Sequence, residues 1–298
     1  MHVFVTGGSG LTGPAVVTEL INAGHTVTGL ARSDAAAARL EALGATPHRG
    51  SLDDLNSLRR GAEAADGVLH MAFGGGDFAD PDALMRRDRT EIETLGGALA
   101  HSGKPLVITS GTLVMPAGRE STEHDAPDDH GIAAFRIAGE RACLAFADQG
   151  VRASVVRLAP TVHGPGDYGF IGMLVDTARK TGTSAYVGDG ANRWPAVHRL
   201  DAAVLFRLAL EKAPAGSVLH GAAENVPFRS IAETIARGLD IPAVSLTPEE
   251  AATHYVSPFM ATVYGVDAPV SSAFTRELLG WSPTGPGLLE DVAEGDYL

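Results

Sequence analysis

Met1-His2-Val3-Phe4-Val5-Thr6-Gly7-Gly8-Ser9-Gly10-Leu11-Thr12-Gly13-Pro14-Ala15-Val16-Val17-Thr18-Glu19-Leu20-Ile21 opens the chain. The first five residues are an apolar run that reads as a strand, and Pro14 to Ile21 reads as a helix. Between them, glycines at 7, 10 and 13 fit the spacing G-x-x-G-x-x-G. Strand, glycine-rich turn and helix in this order predict a dinucleotide site. Gly7 and Gly10 let the backbone turn tightly and approach a pyrophosphate, and Gly13 lets the helix pack close to the strand. The helix amino end offers unpaired N–H groups and a positive dipole end to phosphates. The expected contacts are Gly7, Gly8, Ser9, Gly10, Leu11 and Gly13; the alternative is a plain tight turn.

Working outward, strand and helix patterns alternate as a parallel, doubly wound sheet requires. Strands are expected at 26–30, 45–48, 68–72, 105–109 and 151–158. Helices are expected from Asp34 to before Gly44, with Asp34 as the cap, from Asp80 to His101 and from His130 to Gln149. After Pro160 the loop Thr161-Val162-His163-Gly164-Pro165-Gly166-Asp167-Tyr168-Gly169 is rich in breakers, and the clean alternation stops. The fold class is therefore α/β: a Rossmann doubly wound parallel sheet with a smaller C-terminal substrate lobe. Residues 1–160, with about 197–222 returning to the sheet, form the dinucleotide domain; 161–196 and 223–298 form the lobe.

The bulk numbers narrow the function classes. The chain has 298 residues, 45% hydrophobic and 20% charged, an ordinary globular composition. A net charge of −13 argues against a nucleic-acid surface. One cysteine, Cys143, excludes an internal disulfide and a cysteine metal cluster, and suits a reducing cytoplasm. Cys143 reads as a buried packing thiol. No apolar stretch reaches membrane-spanning length. The histidines show no ligand spacing on one element, so no metal is expected. The 36 glycines suggest a high-GC bacterial source. A small-molecule substrate is the expected partner, with a homodimer left open.

The end of the second strand bears on the cofactor. An acidic residue there would bond both ribose hydroxyls, whereas arginine would pair with a 2′-phosphate. The chain has Leu30-Ala31-Arg32-Ser33-Asp34. Arg32 and Ser33 can hold a phosphate by charge-assisted bonds, which favours NADP, with NAD left open. Ser51 and Leu52, after the third strand, are placed to contact adenine, and Asp53-Asp54 reads equally as a helix cap. Met71 and Ala72, ending the fourth strand, complete the expected cofactor wall. His70 reads as structural beside it.

Thr6-Gly7-Gly8-Ser9-Gly10-Leu11-Thr12-Gly13, together with Val107-Ile108-Thr109-Ser110-Gly111, Val155-Val156-Arg157-Leu158 leading to His163-Gly164-Pro165-Gly166, and Val197-His198-Arg199-Leu200-Asp201, resembles the extended short-chain dehydrogenase/reductase family. The likeness is to its atypical, NAD-dependent epimerase/dehydratase-like branch and covers nearly the whole chain. The resemblance implies a serine or threonine after the fifth strand and a Tyr-x-x-x-Lys on the next helix. In such a pair the lysine lowers the tyrosine's pKa and holds the nicotinamide ribose, while the tyrosine transfers the proton. Arg136-Ile137-Ala138-Gly139-Glu140 matches the run that follows from the lysine. Arg136 therefore stands at the lysine position and Ile132 at the tyrosine position. Isoleucine has no proton to give, so the usual mechanism cannot operate. Arg136 can still hold ribose hydroxyls or a phosphate, or else pair with Asp128 or Glu140.

Ser110 and Thr112 remain as hydroxyls that could orient a substrate carbonyl, or as turn hydroxyls bonding their own backbone. His163, Asp167 and Tyr168 lie on the loop expected to roof the nicotinamide pocket; His163 reads as a packing residue or a catalytic one, and Tyr168 as a candidate substrate contact. Arg193 could pair with a substrate anion, Trp194 could wall the pocket, and His198 reads as loop support. The expected function is an NAD(P)-dependent oxidoreductase reducing a small carbonyl, imine or activated alkene without the usual pair. A catalytically silent NAD(P)-binding sensor and a sugar-nucleotide epimerase or dehydratase remain as alternatives.

Overall fold

Alternation along β1 (His2–Thr6) explains the layering. Val3 and Val5 face one apolar cluster, and Phe4 faces another on the opposite side of the sheet. The structure is a computed structural model describing residues 1–73 and 80–298. The first half continues with α1 (Gly13–Asn22), β2 (Thr26–Ala31), α2 (Asp34–Ala42), β3 (Thr46–Arg49), α3 (Leu55–Glu63) and β4 (Gly67–His70). Next come α4 (Pro81–Leu99), β5 (Pro105–Gly111), α5 (Ile137–Ala145) and β6 (Arg152–Leu158). The second half contains β7 (Thr161–His163), α6 (Phe170–Thr181), β8 (Ser184–Val187), β9 (Arg193–His198), α7 (Arg199–Lys212) and β10 (Ser217–Gly221). It ends with β11 (Glu224–Pro227), α8 (Phe228–Leu239), β12 (Ala243–Leu246), α9 (Pro248–His254), α10 (Pro258–Gly265), α11 (Ala273–Leu279) and α12 (Leu288–Glu294).

Seven strands form one parallel sheet in the order β10-β6-β5-β4-β1-β2-β3. This is a Rossmann-like α/β sheet, with the order reversing at β1. Val16, Val17 and Leu20 of α1, Leu40 of α2 and Phe206 of α7 pack with Val3 and Val5 on one face. Leu58 of α3 and Ile92, Leu95 and Leu99 of α4 pack with Phe4 on the other. A three-stranded sheet, β11-β9-β7, and a β12-β8 pair stand apart from the large sheet. Around them Trp194, Phe228, Tyr255 and Tyr264 build a separate aromatic core.

Three local expectations need correction. The helix expected from His130 starts only at Ile137, after a 3₁₀ turn at Ala134–Arg136, and a second 3₁₀ turn covers Phe146–Gln149. Asp128 is the cause: its carboxylate accepts the His130 N–H and its carbonyl the Gly131 N–H, both at 3.0 Å, and so holds a turn. Ser33, not Asp34, caps α2, its Oγ accepting the Ala36 N–H at 3.2 Å. Asp34 instead meets Arg49 at 2.7 Å. β4 ends at His70 because Thr6 takes over the next amides: its carbonyl accepts from Met71 and its Oγ1 from Ala72, both at 3.2 Å.

Candidate functional site

A cleft of about 520 Å³ lies beyond the carboxyl ends of β1, β2, β4, β5 and β6. Its floor is the turn between β1 and α1, where the Gly10 N–H bonds the Gly7 carbonyl at 3.0 Å. A Cβ on Gly13 would stand 2.2 Å from that carbonyl oxygen, so only glycine allows α1 this close to the strand end. Gly7 has φ +77° and abuts the Ala72 amide, the left-handed conformation that glycine adopts without strain. Thr12, at the N-cap of α1, makes no side-chain cap bond, leaving the first-turn amides unclaimed by a cap. These features fit a pyrophosphate.

The expected cofactor residues divide. Gly7, Ser9, Gly10, Leu11 and Gly13 line the cleft, as do Arg32, Ser51, Leu52, Met71 and Ala72. Gly8, Ser33 and Arg136 are not in its lining. Gly8 faces inward, towards Leu40 and Val17. Ser33 is committed to its cap, while Arg32 is exposed and has no ion pair among the described residues. Asp54 caps α3, whereas Asp53 lines the cleft and meets Arg87 at 2.9 Å.

Behind this wall lies a buried charge cluster. Arg136 Nη1 is 3.7 Å from Asp88 Oδ1, another of its nitrogens donates to the Thr109 carbonyl, and its guanidinium stacks 3.9 Å from the Phe73 ring centroid. The arginine at the lysine position is thus held by Asp88 rather than by Asp128 or Glu140. Glu140 instead takes the buried guanidinium of Arg157 at 2.6 Å. His70, Asp88 and Glu91 bring three ligand atoms within 4.8 Å of one another. Arg136 beside Asp88, and Arg87 at 3.0 Å from Glu91, already balance those carboxylates. Burial pushes Glu91 up to about 7 and His70 down to about 3, and it raises Asp88. Thr6 Oγ1, 2.8 Å from His70 Nδ1, ties the imidazole to β1.

The four expected catalytic side chains do not converge. Ser110 and Thr112 are buried and their hydroxyls have no partner, but neither lines the cleft; the neighbouring Thr109 does. His163 is 1% exposed, and its Nδ1–H donates to Asp291 Oδ2 at 2.8 Å. Tyr168 is 68% exposed and outside the cleft lining. Ile132, partly buried, packs against the separate aromatic core. Arg193 pairs through two nitrogens with Asp267, at 2.9 and 3.1 Å, so its charge is spent within the protein. Trp194 is fully buried against Phe170 and Phe228 rather than walling the cleft. His198 caps α7, and Cys143 is buried with its thiol pushed upward in pKa by burial.

Sequence reasoning missed Thr109, Arg87, Phe73, Leu158 and Phe206 as cleft residues. Thr109 and Leu158 carried a usable signal, since each stands near the carboxyl end of a central strand. Phe206 carried none, because only tertiary packing brings α7 under the cleft.

The sequence profile of a family described as "NAD dependent epimerase/dehydratase family" matches residues 3–220. An uncharacterized protein of Schizosaccharomyces pombe is 46% identical over 299 residues, covering 100% of both chains. That fungal relative removes the support composition gave to a bacterial source. A 4-hydroxy-2-methyl-3-oxo-4-farnesyl-3,4-dihydroquinoline-1-oxide ketoreductase of Stigmatella aurantiaca is 29% identical over 226 residues, 73% of this chain and 67% of that one. Among solved structures, the dTDP-glucose 4,6-dehydratase DesIV of Streptomyces venezuelae, with NAD and TYD bound, superposes with a TM-score of 0.80. It is 19% identical, covering 98% of this chain and 95% of that one, and so shows the shared fold. No described helix is long and apolar enough to cross a membrane.

Proposed function

This chain belongs to the NAD dependent epimerase/dehydratase family, and on that premise we propose that it is a reductase of a small carbonyl, imine or activated alkene. The reading takes NADPH as the reductant, with NADH as the alternative. When bound, the nicotinamide supplies the hydride. Gly7, Ser9, Gly10 and Gly13 would hold the pyrophosphate, Arg32 the 2′-phosphate, and Ser51 and Leu52 the adenine. Thr109, at the far wall of the cleft and with an unpartnered hydroxyl, would orient the substrate beside the nicotinamide, and water would supply the proton.

The observation that carries this reading is at Ile132 and Arg136. An apolar side chain packed into the second core stands at the tyrosine position, and the arginine at the lysine position is turned to Asp88. No cleft-lining residue among those described is a tyrosine. A base acting on a substrate hydroxyl, which epimerisation and dehydration need, is therefore not supplied by the usual group. The engagement of Arg193 by Asp267 also counts against a sugar-nucleotide substrate, whose diphosphate would need a free cation. Likeness to a named ketoreductase supports reduction.

The apolar packing at Ile132 equally favours a catalytically silent cofactor sensor. A screen of aldehydes, ketones, imines and enones, followed by loss of the NADPH absorbance, separates the two. Turnover that falls in Thr109→Ala supports the reductase. Tight NADPH binding with no turnover across all four classes supports the sensor.

A further inference from the structure

The loop between β7 and α6 passes beside Leu11 of the glycine turn. A Cβ on Gly169 would be 3.2 Å from Leu11 Cδ2, and Leu11 lines the cleft. Residues far along the chain hold this loop in place. Tyr297, buried in the second lobe, accepts the Gly164 N–H at 3.1 Å and donates its hydroxyl to Asp167 Oδ2 at 2.9 Å. Burial pushes the phenol's pKa up, so the group remains a donor. The other oxygen of Asp167 accepts the Gly169 N–H at 2.6 Å, passing the restraint to the residue beside Leu11.

Three further attachments act on the same loop. The exposed Asp296 carboxylate accepts the Gly166 N–H at 3.1 Å. Asp291 of α12 holds His163 at the loop's root. Arg199, the first residue of α7, donates to the Gly164 carbonyl at 2.7 Å, and the same helix delivers Phe206 to the cleft. The loop is rich in glycine and carries the exposed Tyr168, so little of its own apolar burial fixes it.

We propose that Tyr297 and Asp296 form a strap that positions the 164–169 loop beside the pyrophosphate half of the dinucleotide site. Tyr297 is a positioning residue: it acts through Asp167 and Gly169 on Leu11 and touches no reacting atom. The inference rests on the reading of the cleft as a dinucleotide site. It assigns the second lobe a role in holding the cofactor as well as the substrate. The adenosine end, at Arg32 and Leu52, lies outside the strap's reach, so loosening the strap should affect the two halves of the cofactor differently.

The test measures NADPH and adenosine 2′,5′-bisphosphate binding by calorimetry for the full chain, Tyr297→Phe and Asp296→Ala. Tyr297→Phe should weaken NADPH about tenfold, equivalent to about 1.4 kcal/mol, through faster dissociation, and leave the bisphosphate unchanged. Asp296→Ala, at an exposed side chain that the core does not need, should act in the same direction by a smaller factor. Equal weakening of both ligands in Tyr297→Phe would mean general loosening of the fold and overturn the strap. Unchanged NADPH affinity in both variants would overturn it too. If the unsubstituted protein binds neither NADPH nor NADH, whether or not it binds the bisphosphate, the dinucleotide reading falls and the strap with it.

Discussion

Gly10→Ala and Gly13→Ala should fail in different ways, because the two glycines are needed for different reasons. At position 13 an added Cβ would sit 2.2 Å from the Gly7 oxygen and 2.6 Å from the Gly8 oxygen, both backbone atoms. Ordinary contact begins near 3.4 Å, so the turn would have to open by about 1.2 Å (3.4 − 2.2). Forcing atoms into a packed site costs about 1–3 kcal/mol. In a domain somewhat smaller than this one each kcal/mol lowers Tm by about 2–4 °C, so a drop of several degrees is expected. At position 10 the nearest atom is the Gly7 oxygen at 3.3 Å, a shortfall of only about 0.1 Å. The fold should hardly notice, with Tm moving by less than about 2 °C. The new methyl would nevertheless enter the cleft where the pyrophosphate approaches, and NADPH should bind at least about tenfold more weakly, or about 1.4 kcal/mol. Gly10→Val should weaken it further. Thermal unfolding and calorimetry on both alanine variants decide the matter. A Gly10→Ala protein with native affinity would refute the site, and one as unstable as Gly13→Ala would refute the geometric distinction.

Arg32→Ala should erase most of any preference for NADPH over NADH, a loss of about 1.5–3 kcal/mol for a charged hydrogen bond; equal affinities in the unsubstituted protein would contradict the role of Arg32. The buried cluster makes a prediction about pH. Glu91, raised to about 7 from 4.5, holds more protons folded than unfolded, so its contribution to stability grows as pH falls through that window. His70, lowered to about 3 from 6.5, holds fewer, so its contribution declines as pH falls below 6.5. The two oppose each other between pH 6.5 and 4.5, so Glu91→Gln should lose Tm more steeply on acidification there than the parent; parallel profiles would count against it. Glu140→Ala strands the buried Arg157 and should cost about 3–5 kcal/mol in denaturant unfolding, whereas an undiminished midpoint would mean that the guanidinium finds water.

Much of the large sheet was legible because its cues are local. Val3, Phe4 and Val5 alternate, Gly7, Gly10 and Gly13 punctuate, and Asp80-Pro81 announces α4 through its cap and N1 proline. Misreadings arose where a side chain competed with the helix: Asp128 captures the amides that would have started α5 at His130, and Ser33 takes the cap assigned to Asp34. The smaller sheets and their aromatic core were opaque. Their decisive contacts join residues such as His163 and Asp291, or Arg193 and Asp267, which no periodicity relates. The same holds for the candidate site. The glycine turn and Arg32 could be read directly, but the pairing of Arg136 with Asp88 required knowing which faces of α4 and the 3₁₀ turn at Ala134–Arg136 meet.

The position of β10 bears on how the protein is made. Ser217 to Gly221 pair with Ser154 to Leu158, so the outer neighbour of β6 is encoded about 60 residues after it, from Leu158 to Gly221. During synthesis at 5–20 residues per second, the amides and carbonyls along that side of β6 wait roughly 3–12 s for their partners. Ala153, Val155 and Val156 make the waiting strand apolar as well as unpaired, the combination that invites pairing with another chain. A nascent chain halted between the two strands, or a fragment ending at Pro160, would keep that edge open indefinitely, so aggregation during biogenesis should depend on how quickly the ribosome reaches Gly221.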